Sequence, residues 1–141
     1  MYKFNKAQTE WLEALESGEY NQTKSVLCEV DADKYPSYCC LGVASELYPH
    51  GKWIEDPYAD GEKMFKLQGS GEFDSWPPQS VWKRLKLRSE SGELTHPITY
   101  ADLFGVSMTA SSLGALNDAG FSFSTIASIC RTFPELVFTN A

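Results

Sequence analysis

The amino-acid sequence predicts a single compact α+β domain, four or five helices packed with a small antiparallel sheet. Three observations predict it. The chain of 141 residues has the length of one domain. Apolar residues recur at helical spacing near both ends, while the stretch between about residues 49 and 76 carries short β-prone runs among Gly, Asp and Pro. No internal repeat and no linker divides the chain, so residues 1–141 read as one globular unit with a Gly/Asp/Pro-rich insert.

The first helix is signalled by "FNKAQTEWLEALESG". Asn5 is its cap, Gln8 completes a capping box, and Gly18 closes the end in a left-handed conformation. Ala7, Trp11, Ala14 and Leu15 share one face. A β-prone run follows from Val26 to Val30 and ends at the turn-like "DADKYPS". The second helix starts at a Ser37 cap after Pro36, buries Cys40, Val43, Ala44 and Leu47, and stops before Pro49. Its Gly42 allows a neighbouring element to approach closely.

The insert, with "KWIE", "KMFKLQG" and "GEFDSW", is read either as a small antiparallel sheet or as a meandering segment. "SWPPQSVWKRLKL" predicts a third helix with Pro77 or Pro78 in its first turn and Val81, Trp82 and Leu85 as its apolar residues. "RSESGELTHPIT" reads as a polar connection leading to a short strand or to a helix start near "YADLFG". Two helices end the chain: one capped by Thr109 with Leu113 and Leu116 on a face, the other carrying Phe123, Ile126, Ala127, Cys130 and Phe133 before Pro134. The tail "ELVF" is expected to form an edge strand.

Composition narrows the function. Twelve Lys and Arg against 19 Asp and Glu leave a net charge of −7, which disfavours an extended nucleic-acid groove or an anionic membrane. No apolar run is long enough to cross a bilayer and the first residues carry no apolar signal core, so a cytoplasmic location is expected. The four cysteines are then expected as free thiols. Neither C-x-x-C nor H-x-x-x-H occurs, and His50 and His96 stand alone, so no metal site and no cofactor are predicted. Phosphate-loop motifs are missing as well.

The segments "YCCLGV" and "LNDAGFSFSTIA", in that order with "WLEALESGEYNQTKSVL" and "WPPQSVWKRLKL", resemble a family of small bacteriophage and prophage proteins. The resemblance covers most of the chain and lapses in the insert. It implies a phage-related role in the host cytosol. Small phage accessory proteins commonly counter host defence, and this is the setting in which the candidate residues are read.

Cys39 and Cys40 have two readings: a nucleophile at a helix start, which makes the protein a cysteine-dependent enzyme on a small molecule, or a pair of small apolar residues that pack. Packing is the favoured one. The dense basic run "VWKRLKLR" places Lys83 and Arg84 beside Trp82, a set suited to a phosphate and a base. Gln22 and Tyr38 are unexplained by cap or core pattern and join Asn117 and Asp118 as pocket candidates, although Asn117 and Asp118 before Gly120 also suit a helix end. The leading expectation is therefore a counter-defence protein that binds and sequesters a small anionic ligand, a cyclic or ADP-ribose-type nucleotide, without catalysis. Alternatives are the cysteine enzyme and an interaction protein that blocks a host defence protein, with a homodimer possible in either case.

Overall fold

A computed structural model describes residues 2–141. Helix α1 spans Lys6–Glu16 and begins with the expected capping box: Asn5 Oδ1 accepts from the Gln8 N–H (2.7 Å) and Gln8 Oε1 from the Asn5 N–H (2.8 Å). Gln8 is itself wholly buried, its amide donating to the Leu85 carbonyl (2.9 Å), and Trp11 beside it donates from Nε1 to the Cys40 carbonyl (2.9 Å). These polar groups are buried but hydrogen-bonded, so they tie α1 to its neighbours without the penalty of an unpaired donor.

Strands β1 (Asn21–Gln22), β2 (Cys28–Val30) and β3 (Pro36–Tyr38) precede helix α2 (Cys40–Leu47). Ser37 was expected to cap α2, but it lies within β3, opposite Glu29, and the cap is Cys39, whose Sγ accepts from the Gly42 N–H (3.3 Å). Strand pairing holds the chain extended through Tyr38, which delays the helix by two residues. Cys40 to Ser45 are all buried, so α2 runs through the centre of the molecule and is not limited to one apolar stripe. Gly42 makes this possible: a Cβ there would sit 1.8 Å from the Leu27 carbonyl oxygen.

The insert is a sheet. Strands β4 (Lys52–Glu55), β5 (Glu62–Leu67) and β6 (Gly71–Phe73) are antiparallel, and β5 also pairs with β2 through Cys28 opposite Lys63. The resulting order is β1-β3-β2-β5-β4, with β6 on β5; the β1–β3 pair is parallel and the others are antiparallel. Helix α3 (Gln79–Arg84) follows Pro78. Of the two continuations expected after it, a short strand or a helix start near "YADLFG", the structure has the strand, and it is longer and paired: β7 (Glu93–Ala101) forms a second sheet, a hairpin, with β8 (Ser107–Ser112). Thr109 was expected as a helix cap but pairs with Thr99 in mid-hairpin, and Ser112 caps α4 (Leu113–Asp118) by accepting from the Ala115 N–H (3.0 Å).

Helix α5 (Phe123–Thr132), capped by Ser122, packs on α1. The tail does not form an edge strand: Pro134–Val137 is one helical turn, α6, with Pro134 at its first positions, and Val137 and Phe138 are wholly buried. Among the described residues there are thus six helices, one more than the upper expectation, and two sheets in place of one, within the α+β class that was predicted. Among the described residues no helix is long and apolar enough to cross a membrane.

Candidate functional site

The seven residues singled out from the sequence fall into two groups. Gln22, Asn117, Asp118 and Tyr38 surround the start of α2. Asn117 is wholly buried and its amide is fully engaged: Oδ1 accepts from Gln22 Nε2 (2.9 Å) and from the Cys40 N–H (3.0 Å), and Nδ2 donates to the Thr23 carbonyl (2.8 Å) and toward Asp118 (3.4 Å). Gln22 also donates to the Phe121 carbonyl (2.8 Å), and Asp118 accepts from the N–H of Ser25 (2.8 Å), which has a left-handed φ of 71°. These residues brace the β1 loop against the ends of α2 and α4. Tyr38 is buried, its hydroxyl 3.4 Å from the Glu46 carboxylate it donates to, and burial followed by the Glu46 charge pushes its pKa up.

The other group lies on α3. Trp82 is half-buried, Lys83 is exposed with Nζ 5.9 Å from the Trp82 ring centre, and Arg84 places its guanidinium 5.8 Å from the ring of Tyr48. Arg88 turns away from this set and donates to the carbonyls of Leu136, Glu135 and Phe138, closing the tail. Arg84 lines the narrow gap between α1 and α2, whereas Asp118 lines a separate cleft beside Trp76.

The thiols pack. Cys28, Cys39, Cys40 and Cys130 are all buried, and loss of hydration is the main cause that raises each pKa: Cys39 to about 11, Cys28 and Cys130 to about 12, and Cys40 well above its ordinary value. The backbone N–H of Gly42 and those near it oppose the rise at Cys39 without cancelling it. A raised thiol pKa removes the thiolate that nucleophilic chemistry requires. Among the described residues no group of three or more His, Cys, Asp and Glu side chains is placed to hold a metal ion.

A cationic cleft of about 480 Å³ lies elsewhere, lined by His50, Gly51, Lys52, Lys66 and Gln68. Sheet register creates it. Lys52 on β4 stands directly opposite Lys66 on β5, an arrangement that costs stability unless an anion is shared between the two. Neither lysine takes part in the ion pairs among the described residues, which join Lys6 to Glu10, Lys63 to Glu55 and Arg131 to Glu16. Glu72 faces Lys66 from its other side, on β6. The ring of His50 meets Tyr48 edge-on at 5.5 Å, and Tyr48 in turn lies against the Arg84 guanidinium, both of them lining the gap between α1 and α2. The opposite end of the β4–β5 ribbon is acidic in balance: Glu55, Asp56, Asp60, Glu62 and Asp31 outnumber Lys34 and Lys63 around a second cleft of about 430 Å³. The sequence reading missed Lys52 and Lys66 because each is isolated in the chain and only strand register brings them together.

These features define a small α+β domain whose surface separates a cationic cleft from an acidic one. Residues 4–133 match the family described as Domain of unknown function (DUF8296), and the chain belongs to that family. No curated protein and no solved structure matches it.

Proposed function

We propose that this chain is a phage or prophage accessory protein that binds and sequesters a small phosphate-bearing ligand, a cyclic or ADP-ribose-type nucleotide, without chemistry of its own. The observation that carries the reading is the facing pair Lys52 and Lys66 with His50 at one cleft, in a chain of net charge −7. A bound phosphate relieves the repulsion between the two ammonium groups and accepts a charge-assisted hydrogen bond from each. The phosphate contacts therefore move from Lys83 and Arg84 to Lys52 and Lys66, with Arg84 adding positive field through its place on Tyr48. Gln22, Asn117 and Tyr38 leave the site because their polar groups serve internal partners. Buried thiols with raised pKa values support binding over the cysteine-enzyme alternative.

The test is to incubate the purified protein with a mixture of cyclic nucleotides and ADP-ribose, remove it by filtration, denature it with heat and chromatograph both fractions. Depletion followed by release of unchanged nucleotide is expected. The double variant Lys52→Ala, Lys66→Ala should bind about 100-fold more weakly, since each charge-assisted bond contributes about 1.5 kcal/mol or more. A new product would make the protein an enzyme, and no depletion would overturn the ligand reading. Wild-type affinity in the double variant would remove this cleft from the site.

A further inference from the structure

The β7–β8 hairpin ends in a tip that an isolated globular domain does not need. Leu103 is fully exposed, Phe104 91% exposed, Val106 53% and Met108 42%. The tip is also rigidly built. Asp102 Oδ1 accepts from the backbone N–H groups of Phe104 (2.8 Å) and Val106 (2.9 Å), the Asp102 N–H donates to the Val106 carbonyl (2.9 Å), and Gly105 supplies the left-handed φ of 78° that closes the turn. A fixed turn that holds four large apolar side chains in water marks an interaction surface.

The tip itself lines a cleft of about 450 Å³: Leu103, Phe104 and Met108 of the hairpin meet Tyr100, Gly120 and Phe121 around it. Tyr100 packs edge-on against Phe121 at 5.2 Å and anchors the hairpin to the turn between α4 and α5. Projection and recess therefore belong to one continuous patch, which is what a two-fold, self-complementary contact requires. Charge agrees. Asp102 lines the hairpin side of the cleft and the Lys24 ammonium lies close to Gly120, which also lines it, so a two-fold axis that runs across the line joining the two sets each aspartate toward the other copy's lysine.

We propose that the hairpin tip docks on a second copy of this chain, Phe104 of each protomer entering the cleft beside Tyr100 and Phe121 of the other. The area is sufficient. With roughly 200 Å² for a large apolar side chain, the exposed fractions of the four tip residues leave about 500 Å² on one protomer. Mutual coverage then buries about 1,000 Å² before the cleft walls are counted, the lower bound for a specific interface. This pairing is independent of the cationic cleft on β4 and β5.

Sedimentation of the full chain from about 1 to 200 µM tests it, alongside Phe104→Ser. The exposed side chain makes no contribution to the core, so the variant should keep the wild-type circular dichroism and melting temperature. Wild type is expected to pass from one chain of 15.8 kDa to two within that range, with the dissociation constant raised about 30-fold or more by Phe104→Ser, as for a central aromatic anchor. A monomer throughout the range, or an undiminished dimer in the variant, overturns the proposal. So does a monomer that binds a different protein through Phe104, which would give the tip to a host target.

Discussion

Asn117 offers the sharpest test of whether the "LND" segment is structural or ligand-binding. Asn117→Ala removes four hydrogen bonds at a wholly buried position. Gln22 is exposed and keeps its bond to the Phe121 carbonyl, so it recovers its loss in water. The Cys40 N–H cannot recover: it opens α2 in the core, and an unsatisfied buried donor costs about 1–3 kcal/mol. The Thr23 carbonyl, half-buried, adds about 1 kcal/mol. The sum is about 3 kcal/mol, a large share of a typical stability of roughly 5–15 kcal/mol. In urea unfolding followed by tryptophan fluorescence, this lowers the midpoint by about 1.5 M for a slope near 2 kcal/mol per M. Asn117→Asp keeps the acceptor for Cys40 but turns an acceptor on Thr23 and adds charge beside Asp118. It should be worse than Ala at pH 7 and recover partly as its carboxyl protonates toward about pH 4. A loss below about 0.5 kcal/mol in both variants would refute the bracing role.

Gly42→Ala forces a methyl to within 1.8 Å of the Leu27 carbonyl oxygen and should cost about 3 kcal/mol or more, read by calorimetry as a melting temperature lowered by roughly 10 °C. All four thiols should label with iodoacetamide at pH 8 far more slowly in the native protein than in denaturant; native-rate labelling of Cys39 equal to that of a free thiol would restore it as a nucleophile. Because native thiols hold their protons to about pH 11 or 12 while unfolded ones release them near pH 8.5, the native state binds more protons above about pH 9, and unfolding free energy should fall as pH rises there. The Arg131 guanidinium, donating to Glu16 at 2.7 and 2.8 Å, lowers the Glu16 pKa, so the pair stabilises above the unfolded value of 4.5 and this contribution fades as pH falls through the depressed native one. Both side chains are over a third exposed, so after solvent screening Glu16→Gln should cost less than about 1 kcal/mol at pH 6, and less still as pH falls through the depressed native pKa.

Local chemistry made several elements legible in the sequence. The Asn5–Gln8 capping box, the helical spacing of Trp11 and Leu15 and that of Phe123, Ile126, Ala127 and Cys130 all follow from residues within one or two turns of each other, whereas only packing against the Leu27 carbonyl shows that position 42 must be glycine. The hairpin was legible only as one strand left open against a helix start near "YADLFG", for the same local reason. "ELTHPITYA" contains a proline and a histidine, and "SMTASS" is short and small enough to pass for a helix start; β7 and β8 identify themselves only by pairing. At the chain end, "ELVF" has strand-like composition, but Pro134 starts a turn that drives Val137 and Phe138 into the core.

The candidate site divided along the same line. The sequence by itself determined the kinds of group on offer: an acidic chain with few cations, thiols without histidine or metal spacing, and a polar "LND" segment at a helix end. Only the tertiary structure decided what those groups do. Fourteen positions separate Lys52 from Lys66, and strand register sets them face to face. Asn117 is 77 residues from Cys40, and helix packing makes its amide an internal brace. Spacing along the chain reports contacts within a helix, where geometry is periodic, whereas contacts across strands and between elements depend on which strands pair, in which register, and which faces pack, and those are chosen by the core as a whole.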